Sequence, residues 1–519
     1  MLHVNNKLIK RVLKIKSSNA MEVGTLEIII GLSVLSFIFH YYLTYHFDFW
    51  KKQNVVGPKP IPFFGNVKEI LFGEIHAGLL MKRYYDQYKS EPMIGIYGNR
   101  TPSLILKDPS LIKDVMIRDF NVFPDRGFYV NAKADPVNQN LANLEHARWR
   151  PLRTKLTPIF TSGKLKEMFY LLVECANSFE KYVEKLIEKD EPVEVRELTS
   201  KFTIQAIGVC VLGLDTKALE ENSQFRTYGR ALFVPTIVNV GRILLQQLAP
   251  WIYESLGPFK TSEPVRFFAK STKEIVEYRR KNKIRRNDFV GLLMDLQDQP
   301  NTLSNIDFSD EFLAGQILAF FAAGFETSST TVSNALYELA FNQNIQDKLR
   351  NEIREEIERN NGQLTYDSIK RMKYLDKIYK ETLRKYPPGS IIQRRSNAQY
   401  TFTGTKVTIP ANTTLIIPVW AIHRDPDLYP DPDIFDPERF NEDNESSRHP
   451  MNYLPFGDGP HNCIAVRYSN YQTKVGLIAA INKFKVNVCD KTCISYQVEP
   501  RAIFTAPVGG IYLKISKVL

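Results

Sequence analysis

Between Glu27 and Asp48 the chain runs from Ile28 to Phe47, twenty residues, without a single Asp, Glu, Lys or Arg. About 20 consecutive apolar residues wound as a helix match the hydrocarbon thickness of a bilayer. Such a run must be buried in protein or given to lipid. Its last part, His40-Tyr-Tyr-Leu-Thr-Tyr-His46, has the composition of an interfacial belt. A helix this uniformly apolar and this near the N-terminus is expected to be a membrane anchor. A cleaved signal peptide fits less well, because the run is long and no small-residue cleavage site follows it.

Orientation depends on the start of translation. Lys7, Lys10, Arg11, Lys14 and Lys16 precede the run, and Lys51, Lys52 and Lys59 follow it. A start at Met21 leaves only Glu22 and Glu27 ahead of the span, so the downstream lysines hold the large domain in the cytosol. That start is the expected one, with residues 1–20 outside the native protein. The alternative is a basic organelle-targeting segment and a mitochondrial location. Residues 21–50 are then the anchor. Residues 51–65, with Val56-Gly-Pro-Lys-Pro-Ile-Pro62, read as a stiff polyproline-like tether.

The remainder, 66–519, is ordinary in composition: 44% hydrophobic and 24% charged over the whole chain, which excludes collagen-like and disordered classes. Five cysteines, scattered and odd in number, do not make a disulfide framework. Lys and Arg exceed Asp and Glu by 11, an excess that suits nucleic acid, an anionic membrane or an acidic protein partner. There is no zinc-finger spacing and no aromatic nucleic-acid-binding motif, so no nucleic-acid partner is expected. The basic cluster Arg279–Arg286 reads as a solvated helix face or loop. Helical periodicity predicts helices over 165–188, 197–213, 265–286, 311–342, 343–360 and 366–385. Short strands are expected at 93–97, 103–106, 400–402, 407–409, 414–418, 485–488 and 512–515. The fold class is therefore mainly α: one large helical domain with small β sheets behind an anchor helix. The apolar stretch 232–253, broken by Pro235 and Pro250, is too interrupted to span a membrane and is expected either in the core or at the membrane surface.

The segment Pro455-Phe-Gly-Asp-Gly-Pro-His-Asn-Cys-Ile-Ala465 carries the most chemistry. Its glycines and prolines describe a tight loop, and a helical pattern starts just after Cys463. Amide dipoles at a helix start favour a thiolate, which serves as a nucleophile or as a metal ligand. His461 is the only histidine close in sequence. Zinc would need further closely spaced Cys or His, and the only close cysteine pair is Cys489 and Cys493. A haem iron held by one thiolate remains the serious option.

These residues resemble the haem loop of the cytochrome P450 superfamily, in which Phe, Gly, Arg, Cys and Gly recur at fixed spacing. This chain supplies Phe456, Gly459, His461, Cys463 and Ala465. His461 stands where the family has an arginine that pairs with a haem propionate, and Ala465 where it has a glycine. Four further motifs occur in the family's order. Trp149-Arg-Pro-Leu-Arg153 resembles the helix whose Trp149 and Arg153 would face a propionate. Ala323-Gly-Phe-Glu-Thr327 resembles the distal helix, in which Gly324 would open room for dioxygen while Glu326 and Thr327 relay protons. Glu381-Thr-Leu-Arg384 and the Arg439 of Pro437-Glu-Arg-Phe440 resemble a buried network that shapes the haem pocket, and Arg394 falls at a further propionate position. The variants Phe123-Pro-Asp-Arg-Gly127 and Asn452-Tyr-Leu-Pro-Phe456 are similar to insect microsomal members that oxidise lipophilic compounds.

The resemblance implies haem b with iron on Cys463, and NADPH electrons delivered by a separate flavoprotein reductase, with cytochrome b5 as a further donor. It also implies insertion of one oxygen atom of dioxygen into a lipophilic substrate at the endoplasmic reticulum membrane. A thiolate-haem isomerase and a non-catalytic haem sensor or carrier are the alternatives. Expected pocket residues are Phe120, Phe123, Phe128, Phe320, Phe321, Ile391 and Ile392.

Overall fold

The computed structural model describes residues 27–128, 135–233, 241, 245, 250–255, 262–299, 303 and 305–518. Residues 1–20 and most of 232–253 lie outside the described residues. Among the described residues one helix is long and apolar enough to cross a membrane: α1, Glu27–Thr44, with mean hydropathy 1.5. Its apolar side chains are exposed: Leu32 is 61% and Phe37 71% open.

The proline-rich segment that follows is not a free spacer. Gly95 N–H donates to the Val56 carbonyl at 2.8 Å, and Trp50 Nε1 donates to the Ile96 carbonyl at 2.9 Å. The chain leaving α1 is thus fastened to the first sheet. That sheet holds β1 (Met93–Gly98), β2 (Thr101–Leu106), β3 (Ile392–Arg395) and β4 (Thr414–Ile417) in the order β1-β2-β4-β3. Only the β2–β4 pair is parallel. Strand β3 was not expected from the sequence, because Gln393-Arg-Arg395 shows no apolar alternation. Its pairing with β4 (Arg394 opposite Leu415) imposes the strand conformation.

Helices dominate, as the periodicity predicts. They include α2 (Ala77–Gln87), α3 (His146–Leu156), α4 (Ser162–Ile187), α5 (Val195–Ile207), α6 (Glu263–Lys281), α7 (Asp310–Phe341), α8 (Gln343–Arg359), α9 (Lys373–Lys385) and α10 (Val466–Ile481). The axis of the core is α7, which packs against α5, α6 and α10. Its start is encoded locally: the Ser309 hydroxyl accepts the Phe312 N–H, and Asp310 and Glu311 complement the positive end of the helix dipole. Phe312, Phe321, Phe325 and Leu336 are all within 2% of complete burial.

The basic cluster is not a solvated face throughout. Helix α6 stops at Lys281, and Arg279 is buried in a bidentate pair with Asp288 at 2.7 and 2.8 Å. A carboxylate nine residues downstream decided that burial, and helical periodicity does not see across a loop.

Candidate active site

The loop before α10 is shaped by backbone sterics. Gly457 and Gly459 adopt positive φ, 66° and 69°. A Cβ on Gly459 would lie 2.0 Å from the Met116 carbonyl oxygen, so only glycine lets this loop close against residues 114–118. The Cys463 N–H donates to the Phe456 carbonyl at 2.9 Å and closes the turn. Ala465 caps α10 and packs on the main core.

Cys463 is exposed, yet the surrounding protein pushes its thiol above the ordinary range through burial. The Ala465 amide, Arg153 and Arg126 pull the other way and lose. The sulfur therefore opens into an interior recess and not onto the outer surface. The helix-start dipole alone does not deliver the thiolate that the sequence suggests. A cation at the sulfur would replace the proton.

Around this recess the structure gathers an unusual set of cations. Trp149 and Arg153 come from α3, Arg394 from β3, and Arg126 from the segment after Phe123. Arg153 donates to Asn462 Oδ1 at 2.9 Å. Arg126 donates to the Ala142 carbonyl at 3.2 Å and to the His461 carbonyl at 3.4 Å. Among the described residues no carboxylate pairs with any of the three guanidiniums. Burial first, then repulsion from Arg153, lowers Arg126 to about 10. Burial first, then Arg126, lowers Arg394 to about 9. Among the described residues the buried donors Trp149 Nε1 and Arg394 Nε have no hydrogen-bond partner. Buried charges and donors are ordinarily paired, so this set fits a compact dianion beside a sulfur ligand. Haem, with two propionates and a thiolate-bound iron, meets both requirements. Arg126 was missed by sequence reasoning, although its motif was visible, since nothing local shows that Phe123–Gly127 returns to the cysteine loop.

His461 sits inside this cluster but is not a fourth cation. Burial, followed by Arg126, Arg394 and Arg153, pushes it down to about 2. Its Nε2 lies 2.5 Å from the Pro124 carbonyl, and the ring packs on Trp149 with centroids 3.8 Å apart.

Helix α7 supplies a second wall. In its otherwise buried middle, Ala323 is exposed and Ala319 and Thr327 are half-buried. Positions i, i+4 and i+8 share one helix face. The Thr327 hydroxyl donates to the Ala323 carbonyl at 2.7 Å, which leaves its oxygen lone pairs as acceptors. Glu326 is buried and ion-paired with Arg196 at the start of α5. Both border a cavity of about 370 Å³ that also touches Arg230, Phe233, Glu499 and Phe504. Gly324 does not face that stripe. A Cβ there would meet Ile207 Cδ1 at 2.5 Å, so its bareness serves the close approach of α7 and α5 in place of opening room for dioxygen.

Several expected pocket residues are core. Phe123 packs on Tyr400, Phe320 on Phe160 and Phe289, and Phe321 on Phe268 and Phe325. Phe120 lies against His461, and Phe128 is exposed. Ile391 and Ile392 are half-buried beside the sheet.

Glu381, Arg384 and Arg439 are brought together. Arg384 makes a bidentate pair with Glu381 at 2.7 and 2.8 Å, and both are fully buried. It also donates to the His423 and Pro432 carbonyls, each at 2.8 Å. Arg439 lies 3.6 Å from Glu381 and donates to the Asp431 carbonyl. His423, absent from the expected site, accepts the Leu454 N–H at 2.8 Å. The network is thereby tied to the chain just ahead of the cysteine loop.

Comparison with known proteins agrees with this geometry. The family model for Cytochrome P450 matches residues 55–515. Cytochrome P450 6B1 of Papilio polyxenes is 36% identical over 502 residues, 94% of this chain and 98% of that protein. Cytochrome P450 6a2 of Drosophila melanogaster is 37% identical over 503 residues, again 94% and 98%. Cytochrome P450 6A1 of Musca domestica is 36% identical over 506 residues, 96% and 99%.

Proposed function

The chain belongs to the cytochrome P450 family and is a haem monooxygenase served by a redox partner; from that premise we propose how its own residues perform the reaction and on what. The substrates are lipophilic foreign compounds. The cofactor is haem b, held by Cys463, with Trp149, Arg153, Arg394 and Arg126 on the propionates. Electrons come from NADPH through a membrane-bound flavoprotein reductase, with cytochrome b5 as an auxiliary donor. Helix α1 anchors the chain in the endoplasmic reticulum membrane, with residues 66–519 on the cytosolic side. The observation that carries the reading is the recess itself: one sulfur beside the buried Arg394 and the half-buried Arg126 and Arg153, with no ion-pairing carboxylate among the described residues.

Bound haem supplies the oxygen-activating chemistry. The protein's share is binding, orientation and proton supply. The alanine stripe on α7 offers an apolar wall to the substrate. Thr327 accepts a hydrogen bond from a water on that wall. Glu326 takes protons from the cavity it shares with Arg196 and passes them toward Thr327. One oxygen atom enters the substrate and the other leaves as water, which consumes two electrons and two protons. A lipid-facing anchor keeps the domain where lipophilic compounds accumulate.

The test is the carbon monoxide difference spectrum of the reduced, membrane-expressed protein. A strongly red-shifted Soret band that is lost in Cys463→Ala is expected. A band at the position of His-ligated haem in the parent protein would overturn the ligand and favour a haem carrier. Thr327→Ala should keep that band but divert most reducing equivalents to hydrogen peroxide, a loss within the 10²–10⁴ range that general acid catalysis contributes. Unchanged coupling would remove Thr327 from the proton path.

A further inference from the structure

His461 occupies the position at which the loop would otherwise supply a guanidinium, and its surroundings show what it does in that place. Two hydrogen bonds cross in opposite directions between segments more than 330 residues apart in sequence. The His461 ring meets the Pro124 carbonyl through Nε2 at 2.5 Å. Arg126, two residues after that proline, returns a guanidinium N–H to the His461 carbonyl at 3.4 Å. A short contact to a carbonyl requires the proton on Nε2, so that N–H is committed to Pro124 and is not free for an anion. Nδ1 is buried without a hydrogen-bond partner among the described residues.

The 124–126 segment is held at two other points. Asp125 Oδ1 accepts the His146 N–H at the start of α3, at 2.8 Å. Its carbonyl accepts the Arg395 N–H from β3, also at 2.8 Å. The segment therefore joins the helix carrying Trp149 and Arg153, the strand carrying Arg394, and the cysteine loop. The His461 ring contact is the shorter of the two that fix it to the loop, the other being the Arg126 bond to the His461 carbonyl. The ring also fills the space between Trp149 and Phe120, with centroids 3.8 and 5.1 Å away. An arginine in its place would add a fourth cation to a cluster that has no carboxylate partner among the described residues.

We propose that His461 is a positioning residue: its Nε2–H clasps the Pro124 carbonyl and so sets Arg126 as the guanidinium that the cysteine loop itself lacks. The departure from the family pattern at 461 is thus compensated from 124–126, and restoring arginine there is harmful. The proposal rests on the haem reading only for the identity of the anion that Arg126 pairs with.

The experiment uses full-length holoprotein in detergent and three variants: His461→Phe keeps the ring and loses the donor, His461→Gln keeps an N–H at the Nε2 position, and His461→Arg restores the family residue. Two quantities are read: hydrogen–deuterium exchange of the peptide 120–128, and the rate of haem transfer to excess apomyoglobin. One hydrogen bond of about 1 kcal/mol corresponds to roughly fivefold. His461→Phe is expected to speed both by about that factor, and His461→Gln to stay within about twofold of the parent. His461→Arg should lose haem faster than the parent. In an Arg126→Gln background, His461→Phe should add little to haem loss. Tighter haem in His461→Arg overturns the proposal. So does faster haem loss in His461→Phe with unchanged exchange at 120–128, or full additivity with Arg126→Gln. If His461→Phe does not fold, the Gln and Arg variants decide alone. Absence of a thiolate spectrum in the parent would count against the haem reading, while the exchange measurement would still judge the clasp.

Discussion

Two clusters of arginine, one around Glu381 and one around Cys463, are built on opposite principles. Around Glu381, every charge is answered: Arg384 has a carboxylate and two carbonyls, and the Asp436 N–H also donates to Glu381. Around Cys463, Arg126, Arg153 and Arg394 have carbonyls or an amide but, among the described residues, no carboxylate, and Trp149 Nε1 has no hydrogen-bond partner there. The first cluster lacks only a hydrogen bond at Arg439 Nε, and each of its charges faces an opposite charge. The second is complete only with an anion. Satisfaction of buried charge, more than the presence of arginine, separates a structural network from a binding site.

Breaking the Glu381 cluster should have the largest effect. Arg384→Ala leaves Glu381 buried and unpaired, which costs about 3–5 kcal/mol, and should abolish recovery of folded haem protein. Near-parent recovery would show that the network is dispensable. Arg394→Gln has the opposite signature. It relieves repulsion with Arg126, so the protein stripped of haem should melt at or above the parent temperature. The holoprotein should release haem about tenfold faster, since a hydrogen bond to a charged group is worth about 1.5–3 kcal/mol. A lower melting temperature with unchanged haem release would place Arg394 with the structural arginines.

The smallest effect is a pH dependence in the Glu381 cluster. Burial, then Arg384, holds His423 down at about 3. The folded state therefore binds fewer protons than the unfolded one between that value and the ordinary 6.5. Its contribution is full above pH 6.5 and falls as pH drops toward 3, by roughly 1 kcal/mol at pH 5.5. His423→Gln should flatten this part of the acid limb in a pH series of denaturant midpoints. An unchanged slope would assign the acid sensitivity to other groups.

Much of the site was legible because its signals are local. The glycines around Cys463 announce a loop, the i, i+3 spacing of Glu381 and Arg384 puts them on one face, and the periodicity of α7 gives nearly its whole length. What escaped was what distant segments decide. Arg126 sat in a motif read only as similar to the insect microsomal members, and the strand that carries Arg394 is created by pairing with β4. Arg279 belonged to a charge run until Asp288 folded back on it. Gly324 was read as space for a ligand, and Ile207 takes that space. Phe320 and Phe321 show the same ambiguity, since an apolar side chain spells core and pocket alike.

By itself, then, the sequence determined the uncharged run that becomes α1, the dominance of helices and the span of α7, the cysteine loop and the membership these imply. Each depends on backbone sterics or on periodicity within one element, which a linear text contains. The tertiary structure alone decided which arginines stay unbalanced beside Cys463, that His461 clasps Pro124 and stays neutral, and that Glu326 opens toward Arg196. Those outcomes are set by burial and by charges brought together from distant segments, and Coulomb and desolvation energies depend on distances in space that residue numbers do not record.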